Sequence, residues 1–267
     1  MYPTIPSVSP IPAATCVDAA QPQQLPQYSR RRILGTWAAA ALPMTVLAWV
    51  VAPMLAATLE GPSAWPRAIL SCLTVGMVWQ FAFVMVTVRR EQGSLRWPVL
   101  KDALWLRAPR SPKTGRRGGR LWWVLLPLIL LVAAKEELPK IPAPVDRDQS
   151  LFLQSAAGQD FFSGNWPWFA VIVTMMIFNT VLGEELLFRG LLLPRMRGAC
   201  GRWDWLVNGV LFGIYHLHTP WSIPANTLDT FFISLPASRY RSALIGILVH
   251  SVQTVVFTGL LLALVLG

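Results

Sequence analysis

Residues 166–193 read WPWFAVIVTMMIFNTVLGEELLFRGLLL, an apolar run whose only charged residues are Glu184, Glu185 and Arg189. A run this long predicts a membrane-crossing helix, because about 20 apolar residues cover the hydrocarbon core. Charge at that depth is expensive, so an ionisable side chain there is a functional-site hypothesis by default. Helix spacing sorts the three. Glu185 and Arg189 stand at i and i+4 with the glutamate N-terminal, and pair on one face. Glu184 lies about 100° round the helix from Glu185 and is left free for another partner. A plain packing pair explains Glu185 and Arg189 but gives Glu184 nothing to do.

The composition agrees with a membrane protein. The chain has 267 residues, 54% of them hydrophobic and only 13% charged, with mean hydropathy +0.48. Soluble domains carry about 25% charged residues. Thirteen tryptophans suit a chain with two membrane–water interfaces. The net charge of +10 is accounted for by basic loops, and no basic soluble module suggests nucleic acid as a partner. Cys16, Cys72 and Cys200 are scattered, with neither a disulfide framework nor a zinc-knuckle spacing.

Residues 1–32 are expected to form a disordered cytoplasmic tail, rich in Pro, Gln, Ser and Ala before Arg30, Arg31 and Arg32. Residues 33–267 are expected to form one all-α polytopic membrane bundle of six to seven hydrophobic segments. The clearest segments are 33–58, 68–88, 121–134, 166–193, 203–218 and 242–266, with a broken stretch at 219–238. Pro43 and Pro53 are candidate kinks, and 121–134 is short for a full span. Basic residues concentrate at 30–32, 89–120, 195–202 and 239–241, whereas 135–165 carries five acidic and three basic side chains. The positive-inside rule then places the N-terminus in the cytoplasm and 135–165 outside. It also puts GEELLFRG near the cytoplasmic interface, beside Arg195 and Arg197. A bacterial plasma membrane is the expected location.

The chain has only three histidines, His216, His218 and His250. His216 ends an apolar segment one turn after Phe212. His218 sits near that segment's end, where an interfacial role is the simpler reading. His250 is the only ionisable position in the last span, with Thr254 one turn on and Gln253 close to the same face. A carboxylate in a semi-dry cavity can act as general base on a water. A histidine can assist it, and a second can stabilise an oxyanion. The same Glu184, His216 and His250 match in number the protein ligands of a catalytic zinc. The chain has no HExxH motif.

EELLFR has the form EExxxR, FGIYH has the form FxxxH, and a histidine follows in a late helix. In that order the three motifs resemble the CPBP family of intramembrane proteases, named for CAAX proteases and bacteriocin-processing enzymes. The resemblance covers about residues 160–265. It implies an intramembrane endopeptidase of glutamic type that cleaves a membrane-associated protein or peptide near the cytoplasmic interface. It implies that Glu184 activates water and His216 assists. Glu185 and Arg189 would shape and charge-balance the site, and His250 would serve the oxyanion. The family usually has Asn four residues after that histidine, where this chain has Thr254, so the Thr254 hydroxyl or the Gln253 amide is expected to complete the oxyanion site. No cofactor is expected, with zinc on Glu184, His216 and His250 as the alternative. Two other functions fit less well. One is a non-catalytic membrane scaffold of the same fold, favoured by Thr254. The other is a proton-coupled transporter, which lacks the usual internal repeat.

Overall fold

The computed structural model describes residues 25–267. Among them there is no strand, and one isolated antiparallel bridge joins Arg110 to Arg117. Four helical runs are long and apolar enough to cross a membrane: Arg30–Ala56, Ala64–Gln92, Trp166–His218 and Ala243–Leu266. The third run contains two helices in succession. We number the principal helices α1 (Arg30–Ala56), α2 (Ala64–Gln92), α3 (Leu125–Glu136), α4 (166–200), α5 (Asp204–Tyr215), α6 (223–240) and α7 (Ala243–Leu266).

α1 shows how lipid and protein divide a helix. Leu34, Leu42, Val46, Val50 and Met54 are exposed at i+4 intervals, while Ala40, Ala41, Met44, Ala48 and Ala52 are buried. Small residues let the next helix approach closely, which drives association where lipid is as apolar as the side chains. The approach is so close that a Cβ at Gly76 of α2 would meet the Met44 side chain at 2.6 Å. Pro43 and Pro53 do not break α1. The helix widens to π winding at Leu47–Val51 between them.

Two sequence expectations change. Residues 1–24 of the expected tail lie outside the described residues, but residues 25–32 are anchored. Tyr28 is buried, its N–H donates to the Arg195 carbonyl at 2.8 Å, and its hydroxyl donates to Glu91. Burial, then the Glu91 bond, holds its phenol well above the usual range. An aromatic ring with a partnered hydroxyl gains from burial even within a polar tail. The 121–134 run is not wound as one α-helix. Residues Gly119–Val124 are 3₁₀-wound, and the 12 residues of α3 reach only about 18 Å. Pro127 falls in the first turn of α3, where no N–H is needed. Leu128 and Val132 of α3 pack on Ile233, Ile245 and Val249.

Two indoles of α1 reach α5. Trp37 donates to the Leu211 carbonyl and Trp49 to the Leu217 carbonyl, both at 2.8 Å. The second bond satisfies an otherwise orphaned carbonyl past the end of α5 and ties down the His216–His218 turn.

Candidate active site

The site is built on α4, which Asn165 caps by accepting from the Trp168 N–H. Its winding is not uniform. Phe178–Gly183 and Leu186–Leu192 are π-wound, with Glu184 and Glu185 between them. Such widened turns are rare and concentrate at functional sites. Gly183 fits this one because a Cβ there would lie 2.6 Å from the Phe178 carbonyl oxygen and 3.4 Å from Gln80 Oε1.

Glu185 and Arg189 are fully buried and paired at 2.9 Å. The rest of the guanidinium is held by other helices. Arg189 Nη2 donates to Ser234 Oγ on α6 at 3.2 Å, and its Cζ lies 4.1 Å from the centre of the Phe212 ring on α5. Ser234 Oγ donates to Asn208 Oδ1, and Asn208 donates to the Phe188 carbonyl at 2.8 Å. On the other side of the pair, His250 Nδ1 lies 3.2 Å from Glu185 Oε1. Four helices therefore meet at one ion pair, which is the condition under which buried charge persists in a membrane.

Glu184 faces elsewhere. It lines a cavity of about 320 Å³ with Asn179, His216 and His218. His216 Nε2 stands 3.8 Å from Glu184 Oε1, and His216 Nδ1 stands 3.0 Å from the Phe212 carbonyl oxygen. A carbonyl only accepts, so Nδ1 carries the proton and Nε2 is left as an acceptor. Two acceptors at 3.8 Å have no direct bond, and the separation suits a water that donates to both.

The cavity opens towards Arg147, Gln149 and Trp221. The basic groove at Arg110, Arg197 and Arg239 is a separate hollow. Arg195 and Arg197, beside which the sequence placed GEELLFRG, lie further along α4. The helix runs on from Glu184 to Cys200, roughly 24 Å at 1.5 Å per residue.

Residues 165–256 match the family model described as type II CAAX prenyl endopeptidase, Rce1-like. The matched segment, about a third of the chain, is similar to that family. No curated protein and no solved structure matches the chain. The match supports a peptidase in general, and a helical membrane bundle agrees with it.

Within the matched segment the residues singled out from sequence divide into two groups. Glu184 and His216 share the cavity, while Glu185, Arg189 and His250 form the buried cluster behind it. Thr254 Oγ1 donates to Thr180 Oγ1 at 3.2 Å. Gln253 does not reach the site, because its amide donates to Glu136 Oε1 at 2.6 Å on an exposed face. His218 is buried, lines the cavity, and stacks on His216 with ring centres 5.4 Å apart. Among the described residues no three His, Cys, Asp or Glu side chains converge as a metal requires.

Sequence reasoning missed three further groups. Asn179 lies in the cavity although α-helical spacing puts it far from the Glu184 face. Gln80 of α2 is fully buried and donates to the Tyr215 hydroxyl next to His216. Lys135 and Asp229 form a buried pair at 2.8 Å between α3 and α6. Gln80 was discoverable as a lone amide in an apolar span, but nothing in the sequence pairs Lys135 with Asp229.

Proposed function

We propose that the chain is a glutamic intramembrane endopeptidase that hydrolyses a peptide bond held in the Glu184 cavity. The observation that carries this reading is the pair of acceptors, Glu184 Oε1 and His216 Nε2, 3.8 Å apart in one cavity. A water shared between them is aligned by both and loses its proton to Glu184 as its oxygen attacks the scissile carbonyl carbon. Glu184 then returns that proton to the leaving amine. The Glu185–Arg189–His250 cluster fixes the helices that carry the two groups and leaves Glu184 without a salt-bridging arginine. No metal takes part in this scheme. The substrate enters as a membrane-associated protein or peptide, and a prenylated CaaX-type C-terminus is the class that the family model's name suggests.

An apolar hollow lined by Phe152, Phe162 and Ile172 shares Met175, Met176 and Gln149 with the Glu184 cavity. This continuity favours a substrate with a long apolar group next to the cleaved bond. The test is Glu184→Gln and His216→Ala in the full chain, with membrane peptides compared by mass spectrometry. Loss of the same released peptides in both variants is expected. Unchanged release in both would overturn the assignment.

A further inference from the structure

Hydrolysis through Glu184, on which this inference rests, needs something the sequence-derived residues do not supply. When the water oxygen adds to the scissile carbon, the carbonyl π electrons move onto oxygen, and that oxyanion needs a hydrogen-bond donor. His250 turns Nδ1 to Glu185 and is not among the residues that line the cavity, while Gln253 is engaged with Glu136 and Thr254 with Thr180. His216 presents an acceptor to the cavity.

We infer that Asn179 is a further catalytic residue, whose side-chain amide donates to the oxyanion. Asn179 lines the cavity together with Glu184. Among the described residues its amide makes no protein hydrogen bond, whereas the asparagines at 165, 208 and 226 all donate through theirs. The winding of α4 is what brings it there. Five residues along an α-helix span about 500°, which would set Asn179 roughly 140° from Glu184. In the π-wound turn the Glu184 N–H bonds to the Asn179 carbonyl, so the two residues stack across one turn on nearly the same face. The widened turn therefore does chemistry: it pairs a base with a donor that α winding would keep apart. Gly183 supports this turn, since a side chain there would press on the Phe178 carbonyl. With the amide in place the intermediate collapses as the C–N bond breaks, the electron pair returns to the carbonyl, and Glu184 protonates the amine.

The test uses the full chain in lipid nanodiscs and a synthetic peptide copied from a site that wild type cuts in membranes and Glu184→Gln does not. Asn179→Leu keeps the shape of the side chain but removes the donor. It is expected to lower kcat by about 10²- to 10³-fold with KM within about threefold. Asn179→Ser keeps a donor and is expected to retain more activity than Asn179→Leu at an unchanged melting midpoint. An Asn179→Leu protein with wild-type kcat overturns the inference. So does equal loss in both variants with a matching fall in melting midpoint, which marks a structural role. If no membrane peptide distinguishes wild type from Glu184→Gln, the endopeptidase reading itself falls, whatever Asn179 does.

Discussion

Gly246 of α7 lies directly against the Glu185 carboxylate of α4: a Cβ at 246 would sit 2.2 Å from Glu185 Oε2 and 3.0 Å from Ile233 Cγ2. Glu185 Oε2 has no hydrogen-bond partner, while Oε1 is held by Arg189 and His250. Gly246→Ala is expected to push α7 away from α4 and cost about 1–3 kcal/mol, as overpacking does. Thermal unfolding in nanodiscs measures it, and an unchanged midpoint would show that the contact yields without strain.

Arg189 holds three helices, so its replacement separates charge from geometry. Arg189→Met leaves Glu185 buried without its cation and is expected to cost about 3–5 kcal/mol. Combining Glu185→Leu with Arg189→Met should recover part of that loss, because no lone charge remains. Arg189→Lys should fall between, since lysine lacks the planar fork that reaches Glu185 and Ser234 together. A double variant less stable than Arg189→Met alone would contradict this account.

His216 is bonded through Nδ1 to its own helix, so its removal should spare the fold. His216→Ala is expected to cut the rate by about 10²- to 10⁴-fold, the range for a general acid–base group, with little change in melting midpoint. A variant that still cuts at the wild-type rate would remove His216 from the mechanism.

Chelation tests the metal-free scheme. Incubation with 1,10-phenanthroline is expected to leave peptide cleavage unchanged, and metal analysis of the purified chain should find less than one zinc per molecule. Activity lost on chelation and restored by zinc alone would replace the proposed scheme with a metal-based one.

The side on which the cavity opens can be read with single cysteines in a chain whose Cys16, Cys72 and Cys200 are replaced. Gln149 lines the cavity mouth, and Arg239 lies on the basic groove. With the N-terminus in the cytoplasm, Gln149→Cys should react with a membrane-impermeant maleimide from outside and Arg239→Cys only after the membrane is opened. The reverse pattern would invert the topology.

Much of the fold was legible because apolar runs and basic loops are strong signals in a membrane. The ion pair at 185 and 189 was legible because i, i+4 spacing survives in the folded helix. Asn179 was not, since face assignments assumed 3.6 residues per turn across a segment that is wound wider. The place of His218 near the end of a span says nothing of the Trp49 bond that holds the turn in. Lys135 and Asp229 are separated by 94 positions, and periodicity carries no information about contacts at that range.

The Glu185–Arg189 pair also bears on how the chain enters the membrane. A lone Arg at mid-helix penalises insertion by about 2.5–3.5 kcal/mol, but two opposite charges one turn apart travel together as a neutral unit. α4 can thus leave the translocon before α5, α6 and α7 exist. Ser234, Phe212 and finally His250 then close around the pair in the order of synthesis. On this route the cluster is complete only when α7 arrives.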